Sequence, residues 1–155
     1  MDEEKEMMIL TALRENSRAS LTEISKQTKI PVSTIYDRLK TYNGNIVKKF
    51  TSVLDFQTIG FGAKAMLLLK VHKEKAEALK QHLIADKSVN NLVKINNGYN
   101  FLAEVIFKTI PELENYIEKL ESDYSLVEKQ VFYIINDLKR EDFMSSTGYQ
   151  KLINI

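Results

Sequence analysis

Ser20-Leu-Thr-Glu23 opens a short helix and Pro31 closes the turn that follows it, and these two signals constrain the chain most. At this spacing the Ser20 hydroxyl can accept from the Glu23 amide while the Glu23 carboxylate accepts from the Ser20 amide. The box predicts a helix over Leu21–Thr28. Pro31 disfavours a helical conformation at Ile30, so Lys29-Ile30 must turn. A further helix is expected over Ser33–Tyr42, ending before Asn43-Gly44-Asn45, where glycine supplies a stop. Upstream, Ile9, Leu10 and Leu13 give Lys5–Glu15 one apolar face, and Asn16–Ala19 is a polar break. Two short helices joined by a tight turn and preceded by a packing helix suggest a helix-turn-helix. A generic three-helix corner fits the periodicity equally well.

The faces of the third helix favour the former. Ile35, Leu39 and Tyr42 share one stripe and must face a core. Ser33, Asp37, Lys40 and Thr41 lie opposite, with Thr34 and Tyr36 at the margins and Arg38 near the core side. Short hydroxyls, one aromatic ring and a cation suit base edges and phosphates. The whole chain of 155 residues carries +1, yet Leu13–Phe50 holds eight basic and three acidic side chains, a surplus of +5. Local positive charge on a near-neutral chain is what phosphate contact requires.

Ile46–Asp55 is rich in Val, Ile, Phe and Thr and reads as an extended segment, either a wing or a hinge strand, with Lys48-Lys49 inside it. Phe56–Gly62 reads as a linker. Beyond it the pattern alternates. Strands are expected at Ala65–Val71, Val89–Asn96, Phe101–Phe107 and Val127–Ile135, with a helix over Lys75–Ala85. A second helix starts at Thr109-Ile-Pro-Glu112, another capping box, and carries the stripe Ile110, Leu113, Ile117 and Leu120. The order βαββαβ is the ferredoxin-like split arrangement. The organisation is therefore α+β: a helix-turn-helix domain with hinge strand over 1–55, a linker over 56–62, a ferredoxin-like domain over 63–137 and a tail over 138–155.

Several function classes recede. Without cysteine there are no disulfides or thiolates, and His72 and His82 alone make a poor start for zinc. No metal or other cofactor is expected. The acidic start lacks the basic region of a signal peptide, and the longest apolar run, Ala65–Leu69, is too short for a bilayer. The expected setting is the cytoplasm, with no membrane partner. No nucleophile, paired acid or phosphate loop stands out, so an enzyme is not expected.

Specific strings then coincide with one family. Val32-Ser-Thr-Ile-Tyr-Asp-Arg-Leu-Lys40 is similar to the recognition helix of the Lrp/AsnC (leucine-responsive, feast/famine) transcription regulators. Phe50-Thr-Ser-Val-Leu-Asp55 resembles their linker strand, and Gly60-Phe61 follows at the expected place. Asn97-Gly98-Tyr99-Asn100 resembles the Gly-aromatic-Asp turn of their ligand-sensing domain, with Asn100 where the family usually has Asp. The resemblance spans Glu6 to Asp137. It implies a winged helix-turn-helix head on a ferredoxin-like domain, and a homodimer often assembled to tetramers or octamers. It implies that the segment after the third helix pairs with its mate, that two heads read pseudo-palindromic double-stranded DNA, and that an amino acid or similar small molecule alters assembly.

Ser33, Thr34, Tyr36 and Asp37 are the candidates for contacts at or near base edges, and Arg38, Lys40, Lys48 and Lys49 for phosphate or structural pairing. Asp37 could accept from a cytosine amino group, but pairing with Lys40 or the Thr41 hydroxyl is the preferred reading. Asn96, Asn97, Gly98, Tyr99 and Asn100 are the candidate effector residues, against the plain alternative of a hairpin turn rich in Asn. Two other readings share the fold: an enzyme similar to siroheme decarboxylases, and a DNA-compacting architectural protein. For the tail, packing of Asp142-Phe143-Met144 and Leu152-Ile153 is expected.

Overall fold

The computed structural model describes residues 3–146. They form two compact units, one of residues 3–53 with 138–146 and the other Leu54–Asp137.

The first unit holds α1 (Glu3–Glu15), α2 (Leu21–Thr28) and α3 (Val32–Tyr42). Ser20 caps α2 reciprocally. Its hydroxyl accepts from the Glu23 amide at 3.2 Å, and the Glu23 carboxylate accepts from the Ser20 amide at 2.6 Å. The Ser20 amide and hydroxyl both donate to the Glu23 carboxylate and hold it below its usual range. The turn into α3 depends on Lys29, which takes the left-handed conformation at φ 60° and ends α2. The Ser25 hydroxyl donates to the Ile30 carbonyl at 2.6 Å and closes the turn. Ile9, Ile24 and Ile35 are fully buried and Tyr42 nearly so, forming one small core with Ala12, Leu13 and Ile30. Each such isoleucine contributes roughly 1.5–3 kcal/mol by leaving water.

Ile46–Asp55 is not the strand its composition suggests. Among the described residues its one backbone pairing is an isolated bridge, Asn43 to Val47. A strand needs a second backbone beside it, and this unit supplies none. Ile46, Phe50, Val53 and Leu54 are left about half exposed. The described tail belongs to this unit and is bonded to Arg14 in the last turn of α1, while Leu152 and Ile153 lie outside the described residues.

In the second unit, Phe56–Gly62 begins as an ordered turn. The Asp55 carboxylate accepts from the amides of Gln57 and Thr58 and from the Thr58 hydroxyl. Then follow β1 (Ala63–Lys70), α4 (Lys73–Ala85), β2 (Val89–Lys94), β3 (Phe101–Phe107), α5 (Ile110–Tyr124) and β4 (Glu128–Tyr133). All pairings are antiparallel, in the order β2-β3-β1-β4. This is the ferredoxin-like sheet. Ala65, Leu67, Leu69, Phe101, Ala103 and Val105 point to one side and pack beneath Leu79 and Leu83 of α4 and Leu113, Ile117 and Leu120 of α5. The cap of α5 is half the expected box. Thr109 accepts from the Glu112 amide at 3.4 Å, but Glu112 reaches one residue further back, to the Lys108 amide.

The alternate residues of the strands carry the other face. Register places Met66 opposite Phe132, Leu68 opposite Leu102, and Val93 opposite Leu102 from the far side. No helix covers this face among the described residues, and Val93 and Phe132 are each 50% exposed.

Candidate nucleic-acid interface

The core stripe of α3 determines what its other side offers. Ile35 and Tyr42 are buried and Leu39 half-buried, so the helix is locked about its own axis. Ser33, Tyr36, Asp37, Lys40 and Thr41 therefore face water, with Thr34 and Arg38 half-buried at the edges. Thr34, Asp37, Arg38 and Thr41 line a shallow, open recess along the helix. Pro31 gives the first turn no side-chain acceptor, which leaves the amides there to outside partners.

The side chains sort differently from the expected pairing. The Lys40 ammonium sits over the Tyr36 ring, 4.4 Å from its centroid, in a cation–π contact. The Thr41 hydroxyl donates to the Asp37 carbonyl oxygen at 3.2 Å, not to its carboxylate. Both expected partners of the Asp37 carboxylate are engaged otherwise, Lys40 by the Tyr36 ring and the Thr41 hydroxyl by the Asp37 carbonyl. Lys48 reaches the Gly44 carbonyl at 3.4 Å, and Lys49 is exposed beside it. Arg14, counted in the basic surplus, is turned to another use: it holds the tail through Glu141 and Phe143.

The turn between β2 and β3 is a separate candidate site. Asn97 and Gly98 both have positive φ, 64° and 87°, the conformation of a tight hairpin turn favoured by Asn-Gly. Asn96 and Asn97 are exposed. Asn100 is not: its side-chain oxygen accepts from the Val71 amide at 2.8 Å, and its own amide donates to Leu69. The Tyr99 hydroxyl donates to Glu128 at 2.5 Å and accepts from Gln130 at 2.6 Å, and Lys70 lies 3.6 Å from the same carboxylate. The Tyr99 bond holds Glu128 below its usual range and raises Tyr99 itself. Sequence reasoning missed Lys70, Glu128 and Gln130. They lie on other strands, and only the register brings them to Tyr99.

Residues 2–42 match the family model described as winged helix-turn-helix DNA-binding. The HTH-type transcriptional regulator FL11 of Pyrococcus horikoshii is 27% identical over 77% of this chain and 80% of its own. An uncharacterised HTH-type transcriptional regulator of the same organism, PH1692, is 26% identical over 87% of this chain and 91% of its own. Two solved structures share the fold. The transcriptional regulator NMB0573 of Neisseria meningitidis, in complex with L-Met, has a TM-score of 0.80 at 17% identity over 90% and 93% of the two chains. LrpC of B. subtilis has 0.78 at 16% identity over 90% and 97%.

The chain is thus similar over most of its length to HTH-type transcriptional regulators, and it shares its fold with LrpC. A helix-turn-helix head precedes a ferredoxin-like domain, and the match to the winged helix-turn-helix model falls on the head. Among the described residues, no helix is long and apolar enough to cross a membrane.

Proposed function

We propose that this regulator binds operator DNA as a homodimer, with α3 in the major groove and an amino acid or similar small molecule as effector. The observation that carries the reading is the division of α3. One side is fixed in the core through Ile35 and Tyr42, and the other presents Ser33, Tyr36, Asp37 and Lys40 together to solvent. A helix held this way presents hydrogen-bonding groups at its N-terminal end in fixed register, as groove reading demands. Ser33, Thr34, Tyr36 and Asp37 are the base-edge residues, and Arg38, Lys40, Lys48 and Lys49 the phosphate contacts. With Lys40 and Thr41 engaged elsewhere, the Asp37 carboxylate is left to accept from a cytosine amino group.

The dimer is supported by two apolar features that stay at least partly exposed among the described residues: the open face of the sheet around Met66, Leu68, Leu102 and Phe132, and Ile46, Phe50 and Val53 after α3. A second copy supplies both a facing sheet and a second strand. The effector site would lie at the turn, where Asn96, Asn97 and Gly98 adjoin the Tyr99–Glu128–Gln130 network. Glu128 and Lys70 offer opposite charges to an ammonium and a carboxylate. The fold is shared with a regulator solved with L-Met, which makes methionine the first ligand to try.

A catalytic role has less support. His82 pairs with Asp86 at 3.6 Å and packs against the Tyr124 ring, a structural use, while His72 is the exposed N-cap residue of α4.

Selection of bound DNA from a random pool tests the reading. Enrichment of a two-fold symmetric motif with half-sites one or two helical turns apart is expected. Enrichment of no motif would remove sequence-specific regulation, and long protected tracts without a motif would indicate compaction instead.

A further inference from the structure

The tail has two anchors. At the first, Asp137 at the end of the ferredoxin-like unit receives the Lys64 ammonium at 2.5 and 2.7 Å. At the second, Arg14 in the last turn of α1 makes three bonds to the tail. Its Nη1 donates to the Glu141 carboxylate at 3.0 Å, its Nη2 to the Glu141 carbonyl at 2.8 Å and its Nε to the Phe143 carbonyl at 3.1 Å. The guanidinium fork thus uses three of its five donors on one short stretch of chain. That stretch has a definite shape. Glu141 and Met144 take left-handed φ of 50° and 59°, Lys139 pairs with Asp142 at 2.6 Å, and Ser145 donates back to Asp142. Two non-glycine residues in that region cost energy, so specific contacts must hold them there.

We infer that residues 138–146 are a strap, a second covalent link between the ferredoxin-like domain and the head, fastened to the head by Arg14. The chain leaves the head after Val53 and returns to it from Leu138. Only residues 138–140 separate the two anchors. Four peptide steps span at most about 14 Å. A shift of the Lys64–Asp137 corner beyond that slack must pull on the end of α1 or break the Arg14 grip. The grip itself does not depend on DNA binding; that it carries an effector signal to DNA rests on the function proposed above.

Limited trypsin digestion of the full-length protein reads the grip, because Lys139 and Arg140 lie in the strap. When closing is faster than cleavage, the rate follows the population of released strap. Cleavage there is expected to run about tenfold faster in Arg14→Ala, which loses all three bonds. Glu141→Gln keeps both carbonyl acceptors and is expected to give a smaller increase. Circular dichroism checks that Arg14→Ala keeps its helices. Should it unfold, Glu141→Gln, which lies outside every helix, decides the matter. Coupling is read at the other anchor: in Asp137→Asn, hydrogen exchange at the head amides of Asn16 and Ser145 is expected to quicken several-fold. Wild-type cleavage in the grip variants overturns the strap. Wild-type exchange in Asp137→Asn overturns the coupling. Neither measurement involves DNA, so failure of the DNA-binding reading is seen separately.

Discussion

The Asn100 side-chain oxygen accepts a hydrogen bond from the Val71 backbone amide at 2.8 Å, tying the start of β3 to the end of β1. The same residue donates its amide to Leu69, so it serves as the joint of the sheet corner. An Asp at this place, as the Lrp/AsnC turn that it resembles usually has, could make the first bond equally well, since only a carboxyl or carboxamide oxygen is needed. What Asn100 lacks is the charge. Asn100→Asp is expected to fold with unchanged helix and strand content. Asn100→Ala is expected to lower stability by about 1–3 kcal/mol, because the Val71 amide loses its acceptor. Urea unfolding of the two variants distinguishes the bond from the charge.

Tyr36 and Lys40 act together. The ammonium above the ring fixes the ring's tilt, and the ring in turn holds the cation close to α3. Replacing both by Ala is expected to abolish specific retardation of operator DNA with the dimer mass unchanged, read by gel shift and sedimentation. Lys40→Met tests the orienting role: it removes the cation from the ring and is expected to weaken binding to operator more than to random DNA. Equal losses on both would mean that Lys40 serves only phosphate.

Local signals were legible in the sequence where a few adjacent residues decide the outcome. The Ser20–Glu23 box gives the start of α2 at Leu21, and alternation along Phe101–Phe107 gives its buried face. The positive φ of Gly98 follows from Asn-Gly alone. Interactions between distant residues were not legible. Arg14 and Glu141 stand 127 positions apart, and no period or composition links them. Lys70, Glu128 and Gln130 join Tyr99 only through the register of β1 with β4. Ile46–Asp55 shows the opposite failure. Its residues suit a strand, but propensity describes a side chain's fit to a sheet and cannot supply the neighbouring backbone. Likewise the Asp37 carboxylate was assigned partners by proximity along α3, and the Tyr36 ring and the Asp37 carbonyl compete for them.

The open sheet face tests the dimer. Phe132 stands opposite Met66, half exposed, on the edge strand of the open face. A lysine there would have to bury its charge between two facing sheets, at a cost of several kcal/mol. Phe132→Lys is expected to sediment with the mass of a single chain and to keep its secondary structure. Ile84→Lys, an exposed apolar residue on α4 at 61% exposure, is the control and should leave the mass unchanged.

Tyr42 gives the head an alkaline limit. Its hydroxyl is buried without a well-placed hydrogen-bond partner, and Glu6 lies near. Burial first, then the Glu6 charge, pushes its pKa up to about 12 from an ordinary 10. The folded state therefore favours the neutral phenol. By linkage that preference is fully present below pH 10 and is lost as pH rises from 10 towards 12. Thermal stability of the head is expected to fall across that window. Tyr42→Phe removes both the titration and a poorly partnered buried hydroxyl. It should be at least as stable as wild type at pH 7 and lose less between pH 10 and 12.

Salt dependence separates the two kinds of cation in the head. A lysine that neutralises a phosphate releases a counterion, and each such contact adds about 0.9 to the slope of log affinity against log salt. Lys48 and Lys49 are exposed, and the one bond seen for Lys48 is a long contact to a carbonyl that a phosphate would displace. Replacing both by Ala is expected to flatten the slope by about 1.8 units. Arg14 belongs to the same basic surplus, yet its guanidinium is already committed to Glu141 and Phe143. Arg14→Ala should therefore leave the slope where it is. Titrations from 50 to 300 mM salt on one operator fragment measure both (~fourfold or more in concentration resolves such slopes). A flattened slope in Arg14→Ala would place that arginine on DNA. An unflattened one in the double lysine variant would take the segment after α3 away from the backbone.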